Sequence, residues 1–200
     1  MIGAAPAIVL SRSPIRYLLR HTFSGASLTP SDQGPSFSTS SGTPSVSGGV
    51  LTKVGTTTLE IYAVNVGSNI VMQAKVNFGN SDGAARRVQL RLRRDDVDAQ
   101  NYFTLIFTRT DLELSRRDSG VATQLAFMSF ATANSTNVWL RYSARGSRHE
   151  VWTSADGSTF TSRIVVTDAA YQTQTRIGAL IVDNGTTSEV TIDDLLVWTS

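Results

Sequence analysis

The chain has 200 residues, 40% of them hydrophobic and 17% charged, with a formal net charge of +2. That suits one domain with a buried core, or a domain plus an arm; it is too apolar for disorder, and the uncharged opening Met1–Ser11 is only about half a bilayer span. The absence of cysteine and the presence of only His21 and His149 exclude disulfides, thiolate zinc sites, cysteine nucleophiles and a His-rich metal centre, and so small a charge makes no case for nucleic acid.

The first twenty residues differ from the rest. An apolar stretch, Ala4 to Leu10, precedes Arg12, Arg16 and Arg20. A secretory signal has the reverse order, so neither a signal peptide nor a membrane segment is expected. This stretch is expected to be an N-terminal arm, residues 1–20, ahead of a sandwich domain, residues 21–200. Ile8, Val9, Leu10, Arg12 and Arg16 would contact a neighbouring subunit, or else pack on the chain's own domain. Residues 26–49 place Pro30, Pro35 and Pro44 among Ser, Thr and Gly and read as a long irregular surface loop.

All five prolines lie at or before Pro44, yet the rest of the chain alternates with a period of two rather than with helical spacing. In Arg86–Arg93, Val88, Leu90 and Leu92 face one way and Arg87, Gln89, Arg91 and Arg93 the other. A turn at Arg109-Thr110 pairs Phe107 with Leu112 and Leu105 with Leu114. Further strands are expected at 17–24, 46–54, 57–65, 69–78, 101–108, 121–128, 136–144, 148–154, 176–183 and 188–198. About twelve short strands without a helix make an all-β sandwich or barrel, and no internal repeat points to a propeller or solenoid. A turn centred on Arg145-Gly146 would set Arg141 opposite Glu150, Trp139 opposite Trp152, and Leu140 opposite Val151.

The order of features resembles the concanavalin A-like lectin/glucanase superfamily in its laminin-G-like form, over residues 19–198. The resemblance rests on Arg20 to Gly25, Val46 to Leu51, Val88 to Arg93 followed by Asn101-Tyr102-Phe103, Trp139 to Tyr142 with the Gly146 turn, Ile177 to Leu180, and the closing Val190 to Val197. It implies an antiparallel jelly-roll β-sandwich. Glucanases of that superfamily aim alternating carboxylates from one strand into a sugar cleft, with a retaining pair about 5 Å apart. Here Asp111 and Glu113 share a strand face but lack a third acid and a flanking aromatic, and the galectin-type His-Asn-Arg spacing is missing. His149 faces with Leu140 and Val151 and no nucleophile-elbow sequence occurs, so a packed histidine is expected and no catalytic residue.

Four features remain as candidate sites. Trp139, Arg141, Glu150 and Trp152 could form a glycan patch, because aromatic faces stack on sugar C–H surfaces while Arg and Glu fork to hydroxyls; the plainer alternative is that both tryptophans are core. Asp95, Asp96 and Asp98 could help to hold Ca²⁺, or serve as backbone acceptors in a turn; no other cofactor is expected. Ser154 to Phe160 resembles the Asp-box turn of sialidases, one residue short, and is expected to be a hairpin turn. Sixteen of the eighteen cations are arginine, and Arg87, Arg91 and Arg93 form a stripe suited either to a protein interface or to pairing with acids on adjacent strands.

Cysteine-free, Ser/Thr-rich sandwiches of this kind are familiar among tailed-phage virion proteins. By that analogy the expected function is a non-enzymatic structural protein of a bacteriophage particle, such as a capsid decoration, head fibre or tail component. It would assemble in the host cytoplasm and join other virion proteins, or copies of itself as a homo-oligomer, through its arm. The alternative is a carbohydrate-binding module recognising bacterial surface glycans.

Overall fold

Alternating residues become opposite faces once a strand lies on a core. In β7 (Arg87–Arg94), Val88, Leu90 and Leu92 are wholly buried. A computed structural model describes residues 17–24, 28, 33–80, 86–95, 97–183 and 189–199, with the other strands β1 (Tyr17–His21), β2 (Ser38–Ser41), β3 (Thr43–Ser47), β4 (Val50–Val54), β5 (Leu59–Ala63), β6 (Ile70–Asn77), β8 (Tyr102–Phe107), β9 (Asp111–Asp118), β10 (Val121–Ser129), β11 (Val138–Arg145), β12 (Arg148–Ser154), β13 (Thr161–Thr167), β14 (Arg176–Val182) and β15 (Thr191–Thr199). No helix occurs among the described residues.

Two antiparallel sheets result. The first runs β13-β12-β11-β6-β15-β4-β3, and β1 makes its eighth strand by pairing with β15; the second has seven strands in the order β10-β9-β8-β7-β14-β5-β2. Their inner faces close over one core that includes Phe23, Phe37, Met72, Phe103, Phe107 and Tyr142. The chain is therefore an all-β antiparallel sandwich, the class its periodicity predicts. The β8–β9 hairpin has the expected register, Phe107 opposite Leu112 and Leu105 opposite Leu114.

Other expectations need correction. The supposed loop 26–49 contains β2 and β3, and Phe37 within it is 2% exposed in the core. The expected strand 46–54 is broken at Gly48 and Gly49, whose φ values of 61° and 84° turn the chain into the β3–β4 hairpin. Strand β13 went unforeseen because only Ile164 of its seven residues is buried. The four arm residues that are described, Tyr17 to Arg20, belong to β1 and so to the sheet. The interface candidates Ile8, Val9, Leu10, Arg12 and Arg16, with the rest of residues 1–16, lie outside the described residues.

The arginine stripe also changes character. A bulge between β7 and β14 puts Arg93 at φ 53° and turns its side chain inward, where it is 0% exposed and donates from Nε to the Ser68 carbonyl at 3.0 Å. Arg91 stays on the outer face but is bound to Glu60 at 2.6 Å and lies 4.3 Å over the Tyr102 ring; Arg94 also pairs with Glu60. Arg86 bridges Asp183 at 3.2 Å and Glu189 at 3.1 Å. Of the stripe only Arg87 is exposed. Pairing between strands, rather than a free cationic surface, accounts for most of these arginines.

Candidate functional site

The outer face of the first sheet is where the predicted glycan residues meet. The β11–β12 hairpin turns at Gly146-Ser147, with Gly146 at φ 52° in the first central position, as a type II′ turn requires. The register expected from an Arg145-Gly146 turn is thereby corrected by two residues: Arg141 opposes Trp152, Ser143 opposes Glu150, Trp139 opposes Ser154 and Leu140 opposes Thr153. A slip of two preserves every facing, so the outward and inward assignments survive.

Cross-strand pairs then set up rows on that face. One row runs Trp152, Arg141, Gln73 and Leu196 across β12, β11, β6 and β15. The next runs Glu150, Ser143, Val71, Trp198 and Tyr17, ending on β1. Because Ser143 and Val71 are small, a groove of about 330 Å³ opens between Trp152 and Trp198, with Arg145, Arg148 and Glu150 at one end. Trp198 is fixed edge-on by Tyr17, ring centres 6.0 Å apart at 89°. Arg141 donates to Gln73 Oε1 from Nε at 3.2 Å and Nη2 at 2.9 Å, and its guanidinium lies 3.6 Å over Phe160 and 5.3 Å over Trp198. Burial lowers its pKa, which marks a desolvated and tightly held cation. Glu150 Oε2 accepts from Arg148 at 2.8 Å and Oε1 accepts from the Ser162 hydroxyl at 3.0 Å.

Arg141, Glu150 and Trp152 thus stand together, but Trp139 is set apart from the groove. It lies beneath the 155–160 turn, so close that a Cβ on Gly157 would sit 2.8 Å from its Nε1, and Lys75 is 5.7 Å above its ring. Trp198 was missed. A bulge between Asp193 and Leu196, with Asp194 at φ 49°, rephases β15 and hides its outward positions from a simple alternation.

The remaining candidates have structural occupations. Asp156 accepts from the amides of Ser158 and Thr159 and from the Ser154 hydroxyl, each at 2.8 Å, bonds that hold its carboxyl well below the usual range and close the β12–β13 turn. Asp95 accepts from the Val97 and Asp98 amides at 2.8 and 3.3 Å, while Asp98 accepts from Gln100 N at 2.9 Å and Asn101 Nδ2 at 3.1 Å; Asp96 lies outside the described residues. Those hydrogen bonds hold the turn, and no cluster of three metal-ligating side chains occurs among the described residues.

A second cavity, of about 430 Å³, lies between the 130–137 loop and the β12–β13 turn, with Asp156 its one acidic lining residue. It offers no partner acid of the kind glycoside hydrolysis uses. His149 is wholly buried as expected: Nδ1 is 2.9 Å from the Tyr142 hydroxyl, and Nε2 is 3.3 Å from the Asp168 carbonyl.

No protein-family model matches the chain, and no curated protein matches it in sequence. Solved structures do. The metal-free form of the VIP36 exoplasmic/lumenal domain superposes with a TM-score of 0.68 at 12% identity, covering 93% of each chain. The carbohydrate-binding module CBM66 from Bacillus subtilis gives 0.61 at 14% identity, covering 82% of this chain and 95% of that one. A GH43 protein, BlXynB from Bacillus licheniformis, gives 0.65 at 11% identity over 90% of this chain but only 39% of its own length. At such identities it is the architecture that is shared: this chain has the concanavalin A-like jelly-roll fold.

Proposed function

We propose that the chain is a carbohydrate-binding module whose ligand lies in the groove between Trp152 and Trp198. The observation that carries this reading is the groove itself: two tryptophans border a small-residue floor of Ser143 and Val71, with charged forks at one end. Indole faces take the apolar face of a pyranose, and Arg and Glu take its hydroxyls. Similarity in fold to CBM66, and to VIP36, which is solved in mannose-bound forms, supports the same direction. The module acts by binding and not by catalysis, since the acids near its cavities are committed to turns or to arginine. The particle-attachment reading draws no support from these similarities.

The test is titration of wild type, Trp152→Ala and Trp198→Ala against a glycan array, followed by calorimetry on the hits. Each truncation is expected to weaken binding about tenfold, a loss of about 1.4 kcal/mol, whereas Trp139→Phe leaves it unchanged. Binding unaffected in a folded Trp152→Ala protein would remove the groove, and a wild type that binds no glycan would remove the function.

A further inference from the structure

The tip of the β11–β12 hairpin carries a charge arrangement that the fold does not need. Arg145 and Arg148 are direct cross-strand partners on either side of the Gly146-Ser147 turn, and like charges so placed repel. One carboxylate is at hand, and Arg148 takes it: Nε and Nη2 both donate to Glu150 Oε2, at 3.1 and 2.8 Å. Arg145 is exposed and makes no ion pair or side-chain hydrogen bond with any described residue. Several other arginines are matched to acids, Arg91 and Arg94 to Glu60, Arg86 to Asp183 and Arg116 to Asp168. Both Arg145 and Arg148 line the same groove as Trp152 and Trp198. The surplus positive charge therefore sits at the end of the proposed sugar site.

Resting on the proposed function, we infer that the groove selects an anionic sugar, whose carboxylate or sulfate is held by the Arg145 guanidinium while a ring stacks on tryptophan. A planar guanidinium offers paired N–H donors that match either group.

Calorimetry of the full chain with trigalacturonate, a sulfated galactan trisaccharide and neutral maltotriose tests this, at about 20 and 300 mM salt. The expected result is that an anionic trisaccharide binds at least about tenfold more tightly than the neutral one at low salt, with the advantage shrinking at high salt. Arg145→Gln removes that advantage, so that charged and neutral trisaccharides bind the variant alike; Arg87→Gln, an equal loss of charge on the opposite sheet, leaves the advantage intact. Which anion prefers the site separates carboxylate from sulfate recognition. Equal affinity for charged and neutral sugars, with both weakened by Trp152→Ala, overturns the inference and leaves the groove standing. An anionic preference that survives Arg145→Gln also overturns it. Binding of none of the three, while the array yields other neutral ligands, does the same; an empty array removes the groove reading with it.

Discussion

Acid should expose the buried histidine. His149 is 0% exposed, its ring centre 4.1 Å from that of Phe103, and Tyr142 and the Asp168 carbonyl occupy its two nitrogens. Burial, reinforced by the positive charge of the enclosed Arg93, lowers its pKa to about 4. Tyr142 is itself pushed up by burial and stays a hydroxyl, so it donates to Nδ1 while Nε2–H donates to the carbonyl. A second proton, on Nδ1, would displace the hydrogen that Tyr142 donates to it. The unfolded imidazole titrates near 6.5, so between these values the unfolded chain binds a proton that the folded chain refuses. Stability from this group is therefore complete above about pH 6.5 and is lost as pH falls towards 4. Linkage gives about 2.5 kcal/mol lost between pH 7.5 and 4.5. Urea titrations of wild type and His149→Gln at both pH values read this directly. Carboxylates contribute equally to both proteins and cancel in the difference. The variant is expected to be less stable at pH 7.5 but to lose about 2.5 kcal/mol less on acidification. Parallel losses in the two proteins would show that His149 titrates normally and that the burial argument is wrong.

Two further substitutions probe the scaffold. Glu60 serves both Arg91 and Arg94, so Glu60→Gln leaves two enclosed guanidinium groups without their carboxylate and is expected to cost about 3 kcal/mol by chemical denaturation; a change below about 0.5 kcal/mol would mean that the pair is solvated. Gly157→Ala imposes a Cβ at φ 73° against the Trp139 indole, and is expected to cost about 2 kcal/mol with a shift in tryptophan fluorescence; unchanged emission and melting would deny that contact.

Most of the fold was legible because burial on one face enforces a period of two. Val88, Leu90 and Leu92 or Leu105 and Leu114 announce it without ambiguity. Legibility failed where that constraint relaxes: β13 at the sheet edge has little to bury, and β2 hides its polar residues in a Ser-rich stretch. At bulges the alternation slips by one: Arg93, expected to face outward, lies within such a slip, and Trp198, which no expectation covered, lies just beyond another. The hairpin register missed by two because Gly146 suits either central position of a tight turn, and only backbone geometry chooses between them. Two members of the proposed site, Glu150 and Trp152, were readable from outward alternation alone. The groove was not, since it depends on Val71 and Ser143 being low between neighbours from strands distant in the chain.

The order of strands has a consequence for biosynthesis. β15 sits between β6 on one side and β4 and β1 on the other, and β14 sits between β7 and β5. Among the described strands, each sheet thus receives an interior strand last in chain order. Until residues 176–199 have left the ribosome, each sheet is two fragments with no seam between them, and the facing edges of β6 and β7 stand open. Closure of both sheets is then a long-range step that waits for this segment. A premature stop in that closing segment would not trim an edge; it would remove the keystone of both sheets at once.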